Sequence, residues 1–360
     1  MHFSRRRGVA VSVAAMLVFL FAFTTALNSA YRATRHNRAE GRYLDGQGLF
    51  AAGRYEDAAE EFRAALTYVH VDSRFTLALA RSLMQLGRWT EAESYLGELR
   101  QDDPTNSPVN LMLARIAARD QRSADAIMYY QRALYGYWPD HADDNRIEAR
   151  LELVDLLDRE QRTNQALAEL LQLATDVPAG DTATRLRVAG LLLADGSPPH
   201  AAELYRSILA EQPHDGAAEK GLGDSLFATG DYAGARHAYL AARKDGTSDA
   251  TLEQRLGLCE AVLALDPTVL RISASERFAR ARELLRRVSE SALRCGALRP
   301  DLAAAMQSAL SEKNTRRREG DTVEMLTLIG QIWKARQDSC ASQPESDAAL
   351  NLVMAKMQKQ

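Results

Sequence analysis

A short sequence pattern that returns at nearly constant spacing constrains this chain more than any other feature. The pattern first occurs at residues 53–58 and recurs at 87–92, 121–126, 161–166, 196–201 and 230–235. Each copy ends in an alanine, and these are Ala58, Ala92, Ala126, Ala166, Ala201 and Ala235. Successive alanines lie 34, 34, 40, 35 and 34 residues apart. Such a period indicates a repeat architecture, in which each unit buries its apolar face against its neighbours.

Other positions keep the same period. Small or modest residues precede the pattern by seven positions, at Gly46, Ala80, Ala114, Val154, Ala189 and Gly223. Large residues follow the alanine by four, at Phe62, Leu96, Tyr130, Leu170, Tyr205 and Tyr239. Residues three, four and seven apart share a helical face, so each unit is predicted to be two amphipathic helices joined by a tight turn. The small residues, including the six alanines, let the two helix axes approach closely.

This series of small, large, turn glycine, alanine and closing proline resembles the tetratricopeptide repeat family, most clearly at residues 46–65 and 80–104. The resemblance covers six units over residues 39–247. It implies an all-α, right-handed superhelical solenoid of antiparallel helix pairs. The third and fourth units depart from the family at the turn, where Gln121 and Gln161 replace glycine.

The helical pattern continues beyond the six units, although its period decays. Residues 248–293 are predicted to form a degenerate seventh repeat with an enlarged connection. Residues 294–360 are predicted to form a C-terminal helical cap, because a solenoid needs a terminal element that covers its last apolar face.

The N-terminal segment predicts a membrane anchor. Residues 1–8 form a basic tail, and the 19 residues at 9–27 carry no charge. As a helix they would span about 28 Å, close to the thickness of a bilayer's hydrocarbon core. We therefore expect a transmembrane signal-anchor helix at 9–27, a linker at 28–38, and a single-pass inner-membrane protein whose body is periplasmic.

A cleaved signal peptide is the alternative for this segment. Thr24, Thr25 and Ala26 offer a weak cleavage site, and removal at that point would leave a soluble periplasmic binding module. Arginines lie on both sides of residues 9–27, so the distribution of positive charge does not decide the orientation.

Several classes of function are not expected. A net charge of -3 argues against nucleic acid as the main partner. Cys259, Cys295 and Cys340 have no CxxC spacing, which predicts neither a disulfide framework nor a thiolate zinc site. The sequence contains no motif for a metal, a cofactor or a catalytic nucleophile, so the chain is predicted not to be an enzyme. The alternative is an enzyme whose active site lies within residues 249–360.

The family resemblance also implies a concave groove lined by the first helix of each repeat. The residues expected to face it follow the small positions, with one arginine a turn later: Gln47, Arg81, Arg115, Arg119, Asp155 and Asp224. The groove would be basic in the second and third units, where arginine suits carboxylates of a partner. The alternative is that these are ordinary solvated surface charges.

The insertion that lengthens one spacing to 40 lies at residues 140–146, and a solvated loop is expected there. Tyr135, Tyr137 and Trp138 precede it, and are predicted to pack the junction or to form a second contact surface. Together these features predict a non-catalytic, membrane-anchored scaffold for protein or peptide partners in a bacterial envelope complex that serves assembly, secretion or maturation.

Overall fold

The computed structural model of the chain describes residues 2–70, 72–311, 319–340 and 346–358. Within these ranges the side chains of residues 2–15, 17, 18 and 319–321 are not described. The chain divides into two compact units, Met1–Ala166 (unit 1) and Leu167–Gln360 (unit 2).

Unit 1 is built from consecutive helices that pack against each other in chain order. They are α1 (His2–Ala51), α2 (Tyr55–Tyr68), α3 (Ser73–Gln85), α4 (Trp89–Asp102), α5 (Ser107–Arg119), α6 (Ser123–Tyr135) and α7 (Ala142–Arg159). The first buried residue of α1, among those whose side chains are described, is Ala39, and Arg35 one turn earlier already donates a hydrogen bond of 3.2 Å to the carbonyl of Thr67 in α2.

The division between the units falls within α8 (Thr163–Asp176). Unit 2 continues with α9 (Thr182–Ala194), α10 (Pro198–Glu211), α11 (Gly216–Thr229), α12 (Tyr232–Lys244), α13 (Ala250–Leu265), α14 (Ala274–Arg294), α15 (Pro300–Ser311), α16 (Glu319–Ser339) and α17 (Ala348–Gln358). No strand occurs in the described ranges, where the extended pairing is limited to one bridge between Asn106 and Tyr137. The prediction of an all-helical chain built from helix pairs is confirmed for these residues.

The predicted membrane anchor requires a correction. In the described part of the chain, no helix combines the length and the apolar character that crossing a bilayer requires. The predicted single-pass inner-membrane localisation is therefore wrong on this finding. Residues 9–15, 17 and 18 of the predicted span lie outside the residues whose side chains are described.

Small residues form the close contacts between paired helices. The six repeat alanines are fully buried: Ala58, Ala92, Ala126, Ala166, Ala201 and Ala235. A Cβ atom added to Gly46 would lie 2.6 Å from the ring of Phe62, and one added to Gly223 would lie 2.6 Å from the ring of Tyr239. These glycines are therefore required because a large aromatic ring packs directly on the helix backbone.

The turns inside the repeats share one backbone geometry, whatever residue occupies them. Gly53 and Gly87 have φ of 75° and 74°, and Gln121 and Gln161 adopt the same left-handed region at 60° and 57°. For a residue with a side chain this conformation costs about 1 kcal/mol. The surrounding helix pairs thus impose the turn, and the missing glycine does not end the repeat series.

The C-terminal helices of unit 2 share one apolar cluster that extends from Leu226 to Met354. Helix α16 packs on α14, and α17 packs on α13. Lys356 of α17 donates a hydrogen bond of 2.7 Å to Asp266, which is fully buried at the end of α13. A buried carboxylate is stable only with such partners, so the ion pair fixes α17 against α13. The capping role of residues 294–360 stays a prediction.

A disulfide joins Cys295, which follows α14, to Cys340, which follows α16, with 6.1 Å between the two Cα atoms. No disulfide framework was expected from the sequence, and this bond was not predicted. CxxC spacing reports only local pairing, whereas the packing of α14 on α16 brings together residues 45 positions apart. Cys259 is free, and burial raises the pKa of its thiol to about 11.

We expect Gly223→Ala to destabilise unit 2 by about 1–3 kcal/mol, because the buried ring of Tyr239 cannot move away from the new methyl group. Gly257→Ala is the matched control, since nothing lies within 4 Å of its added Cβ. The control should raise stability by about 0.5–1 kcal/mol through helix propensity. Urea denaturation monitored by circular dichroism measures both, and equal effects of the two substitutions would contradict this packing.

Removing the disulfide by Cys295→Ser with Cys340→Ser should also destabilise unit 2. The chain-entropy model gives about 4 kcal/mol for a loop of this length. Thermal melting of the wild type should shift downwards when a reductant is added, and melting of the double variant should not respond. A wild-type melting temperature that is insensitive to complete reduction would show that the disulfide does not stabilise this part of the chain.

Candidate functional site

Two adjacent open cavities lie on unit 1. The large cavity has a volume of about 860 Å³, and the small cavity about 420 Å³. Helices α1, α3 and α5 supply most of the lining, and residues 138–141 also line the large cavity. Both cavities are lined by the same five residues, which we call the junction residues: Phe50, Arg81, Pro108, Pro139 and Asp140.

The structure brings four of the six predicted groove residues to these cavities. Gln47 lines the small cavity, Arg81 lines both, and Arg115 and Arg119 line the large one. These residues come from α1, α3 and α5, and their role in binding a partner stays a prediction. Asp155 is exposed on α7 and does not line either cavity.

Arg81 projects from α3 because the neighbouring positions face the helix pair. Leu79, Ala80 and Leu83 are fully buried, whereas the Arg81 side chain is exposed. Its guanidinium makes no hydrogen bond or ion pair with any residue that the structure describes. Arg81 therefore presents a full positive charge and five N–H donors to the two cavities.

Arg115 differs from Arg81, because its guanidinium is paired with carboxylates of unit 1. Its Nη2 donates hydrogen bonds of 2.6 Å to both Glu148 and Glu152, and its Nε donates to Glu152 at 3.0 and 3.1 Å. Glu152 also accepts a hydrogen bond of 2.9 Å from the hydroxyl of Tyr130. Burial opposes the charge on Arg115, but the bonds and charge of Glu152 outweigh it and raise the pKa of the guanidinium. This network joins α5, α6 and α7.

Arg119 forms part of the wall of the large cavity. Its guanidinium carbon lies 4.6 Å from the centre of the Trp89 ring, which is a cation–π contact. Its Nη1 also donates to Asp120 at 2.7 Å. The contact fixes the orientation of Trp89 and gives this wall a flat apolar face beside a positive charge.

Asp224 lies in unit 2, and its carboxylate is engaged within that unit. It accepts hydrogen bonds of 2.7 Å from Tyr239 and 2.5 Å from Arg255, and Lys220 lies 3.3 Å away. Only 12% of its side chain is exposed. Burial, followed by the Asp224 bond, raises the pKa of the Tyr239 hydroxyl. Asp224 thus joins α11, α12 and α13, whereas the sequence placed it on a groove surface.

The insertion at residues 140–146 was expected to be a solvated loop, but residues 142–146 form the start of α7, and Asp140, His141 and Asn145 line the large cavity. Trp138 is 8% exposed and donates its indole N–H to the carbonyl of Ala133 at 2.9 Å. The main chain of Tyr137 pairs with Thr105 and Ser107 at 2.9 and 3.1 Å. This bridge holds the segment just before the insertion against the beginning of α5.

Of the three aromatic residues before the insertion, only Trp138 is buried, in the connection between α6 and α7. Tyr135 and Tyr137 are 76% and 67% exposed. The sequence contains one signal for this bridge, which is Gly136, a glycine outside the turn positions. A Cβ atom added there would collide with the carbonyl of Thr105. That close approach lets the bridge form, and residues 138–141, which follow it directly, line the large cavity.

We expect Arg115→Met to lower the free energy of unfolding by about 1 kcal/mol, since the substitution leaves Glu152 without its cationic partner and solvent screens part of the loss. Arg81→Met should leave stability within about 0.5 kcal/mol of the wild type, because its side chain has no internal partner. Chemical denaturation measures both. Equal destabilisation by the two substitutions would contradict the division into paired and unpaired arginines.

A family model described as "Tetratricopeptide repeat" matches residues 49–116 and 192–254 of this chain. Among curated proteins, none has a sequence that matches. The similar solved structures include a tetratricopeptide repeat protein from Parabacteroides merdae, which is 16% identical, with 81% of this chain and 99% of that chain covered and a TM-score of 0.40.

Two further similar structures are those of YrrB and PilW. YrrB, described as having an unusual peptide-binding site, is 15% identical over 55% of this chain and 98% of its own, with a TM-score of 0.43. PilW, described as a type IV pilus biogenesis factor, is 14% identical over 61% of this chain and 98% of its own, with a TM-score of 0.41. Of the two segments that the family model matches, one lies in unit 1 and the other in unit 2.

Proposed function

We propose that this chain is a non-catalytic protein-interaction scaffold that holds a peptide segment of a partner in the two cavities of unit 1. The observation that carries the proposal is the exposed, unpaired Arg81 between two apolar-walled cavities on the first helices of successive repeats. Both volumes are in the range of sites that enclose ligands. The family resemblance implies peptide binding at this face.

The lining of the large cavity has the chemistry of a protein-binding surface. Trp89 and Arg119 are stacked there, and aromatic residues with arginine dominate the energy of protein interfaces. Met84 and Met112 line the same cavity, and the flexible methionine side chain adapts to different partner residues. The combination suits a side chain of a peptide better than a small polar substrate.

The arrangement of titratable groups in unit 2 also favours binding over catalysis. A cavity of about 350 Å³ there is lined by one acid, Glu283, beside Arg282 and Arg286. Hydrogen bonding to Arg286 lowers the pKa of Glu283 to about 2, so this carboxyl is a poor proton acceptor at neutral pH. No cluster of three metal-ligating side chains occurs among the residues that the structure describes. A role in an envelope assembly complex stays a prediction.

The three tryptophans of the chain provide a direct test. Trp89 and Trp138 line the large cavity, whereas Trp333 is buried in unit 2. Peptides are selected from a random phage-displayed library against the purified protein. Their binding should change the tryptophan emission, because the ligand replaces water beside Trp89 and Trp138.

Matched variants assign the emission change to the cavity. It should disappear in Trp89→Phe with Trp138→Phe and persist in Trp333→Phe, while circular dichroism verifies that each variant is folded. Failure to select any peptide above background, or an emission change that survives in the first variant, would overturn the proposed site.

A further inference from the structure

The small and large cavities lie next to each other and share the junction residues. Arg81 and Asp140 are exposed and line both cavities, as do the apolar side chains of Phe50, Pro108 and Pro139. A ligand that fills both cavities therefore lies beside both a positive and a negative side chain. This inference rests on the function proposed above and concerns which peptide the cavities select.

Most charged residues of the two cavities already have partners. Arg74 is paired with Asp72 and Glu40, Arg115 with Glu148 and Glu152, and Arg119 with Asp120. The side chains of Arg81 and Asp140 have neither a hydrogen bond nor an ion pair to any described residue. The two unpaired charged side chains of the cavities are thus both junction residues, and they select a ligand by its charge.

Apolar walls lie on both sides of these two charges. In the small cavity they are formed by Tyr43, Phe62 and Leu77. In the large cavity they are formed by Met84, Trp89 and Met112. Each cavity can therefore bury an apolar side chain, and burial of one such side chain favours binding independently of the charge.

We infer that the occupant is an internal peptide segment with one acidic side chain flanked on both sides by large apolar residues. The acidic side chain pairs with Arg81, whose planar fork matches a carboxylate. The peptide continues in both directions, so that one apolar side chain enters each cavity. A chain that ended in its terminal carboxylate at Arg81 would leave one cavity empty.

Asp140 adds a second preference, which concerns the charge of the peptide residues beside the acidic one. Its carboxylate accepts a hydrogen bond from a peptide N–H or pairs with a basic side chain, and it repels a second acid at the junction. The cavities therefore favour a single acidic residue between apolar neighbours over a run of acidic residues.

The test uses fluorescein-labelled peptides with a central Glu and a Leu or Phe two positions away on each side. The comparison peptides carry Gln or Lys at the centre, a second Glu beside the first, Ala in place of one apolar residue, or a chain end directly after the Glu. Binding to the full chain is measured by fluorescence anisotropy. Arg81→Glu is the main variant, and Arg206→Glu, which changes an exposed arginine of unit 2, is the matched control.

We expect the central Glu peptide to bind at least tenfold more tightly than any of the comparison peptides. Arg81→Glu should lose this preference and bind the Lys peptide best, whereas Arg206→Glu should behave as the wild type. Because Arg81 has no internal partner, the variant should melt like the wild type, and Arg81→Gln provides a neutral second variant that abolishes the preference without reversing it. Asp140→Asn should recover binding of the peptide with two Glu residues.

Equal binding of the Glu and Gln peptides by the wild type would overturn this inference, and so would full affinity for the peptide that ends at Glu. Those results leave the scaffold proposal standing if library-selected peptides still change the emission of Trp89 and Trp138. Failure of the library selection overturns the scaffold proposal itself, so the two failures are distinguishable.

Discussion

The close crossing of paired helices, made possible by small residues, is the constraint on which the rest of the structure depends. Six repeat alanines are fully buried, and the glycines at 46 and 223 accept the rings of Phe62 and Tyr239 directly on the helix backbone. Larger residues there would separate the axes and expose the rings. This packing sets the spacing of α1, α3 and α5, and that spacing shapes the cavities of unit 1.

Electrostatic pairing then divides the charged residues between structural and binding roles. Glu152 and Asp224 each accept hydrogen bonds from a tyrosine and an arginine of other helices. A half-buried carboxylate is stable only when such donors satisfy it, so these residues hold helices together. Arg81 has no comparable partner among the described residues, so its charge is accessible to a ligand. The same type of side chain at equivalent repeat positions therefore serves different purposes.

The repeat period predicted much of the fold. It located the helix pairs and the buried alanines, because each depends on residues within about one repeat. The expectation that Arg81 faces a groove came from the family resemblance, and Arg81 lines both cavities of unit 1. The period did not predict that Trp138 and Asp140 line a cavity. The bridge between Tyr137 and Thr105 is made by main-chain atoms of two segments, and no periodic pattern of side chains marks such a contact in the sequence. The disulfide between Cys295 and Cys340 was missed for the same reason.

The sequence by itself thus determined the repeating helix pair, since helical faces follow from residues three and four positions apart. Only the tertiary structure decided which charges remain free, because the partners lie on other helices. Arg115 meets Glu152 across 37 residues, and Lys356 meets Asp266 across 90. Local spacing carries no information about such distant pairs, whereas the packing of helices brings their atoms within hydrogen-bonding distance.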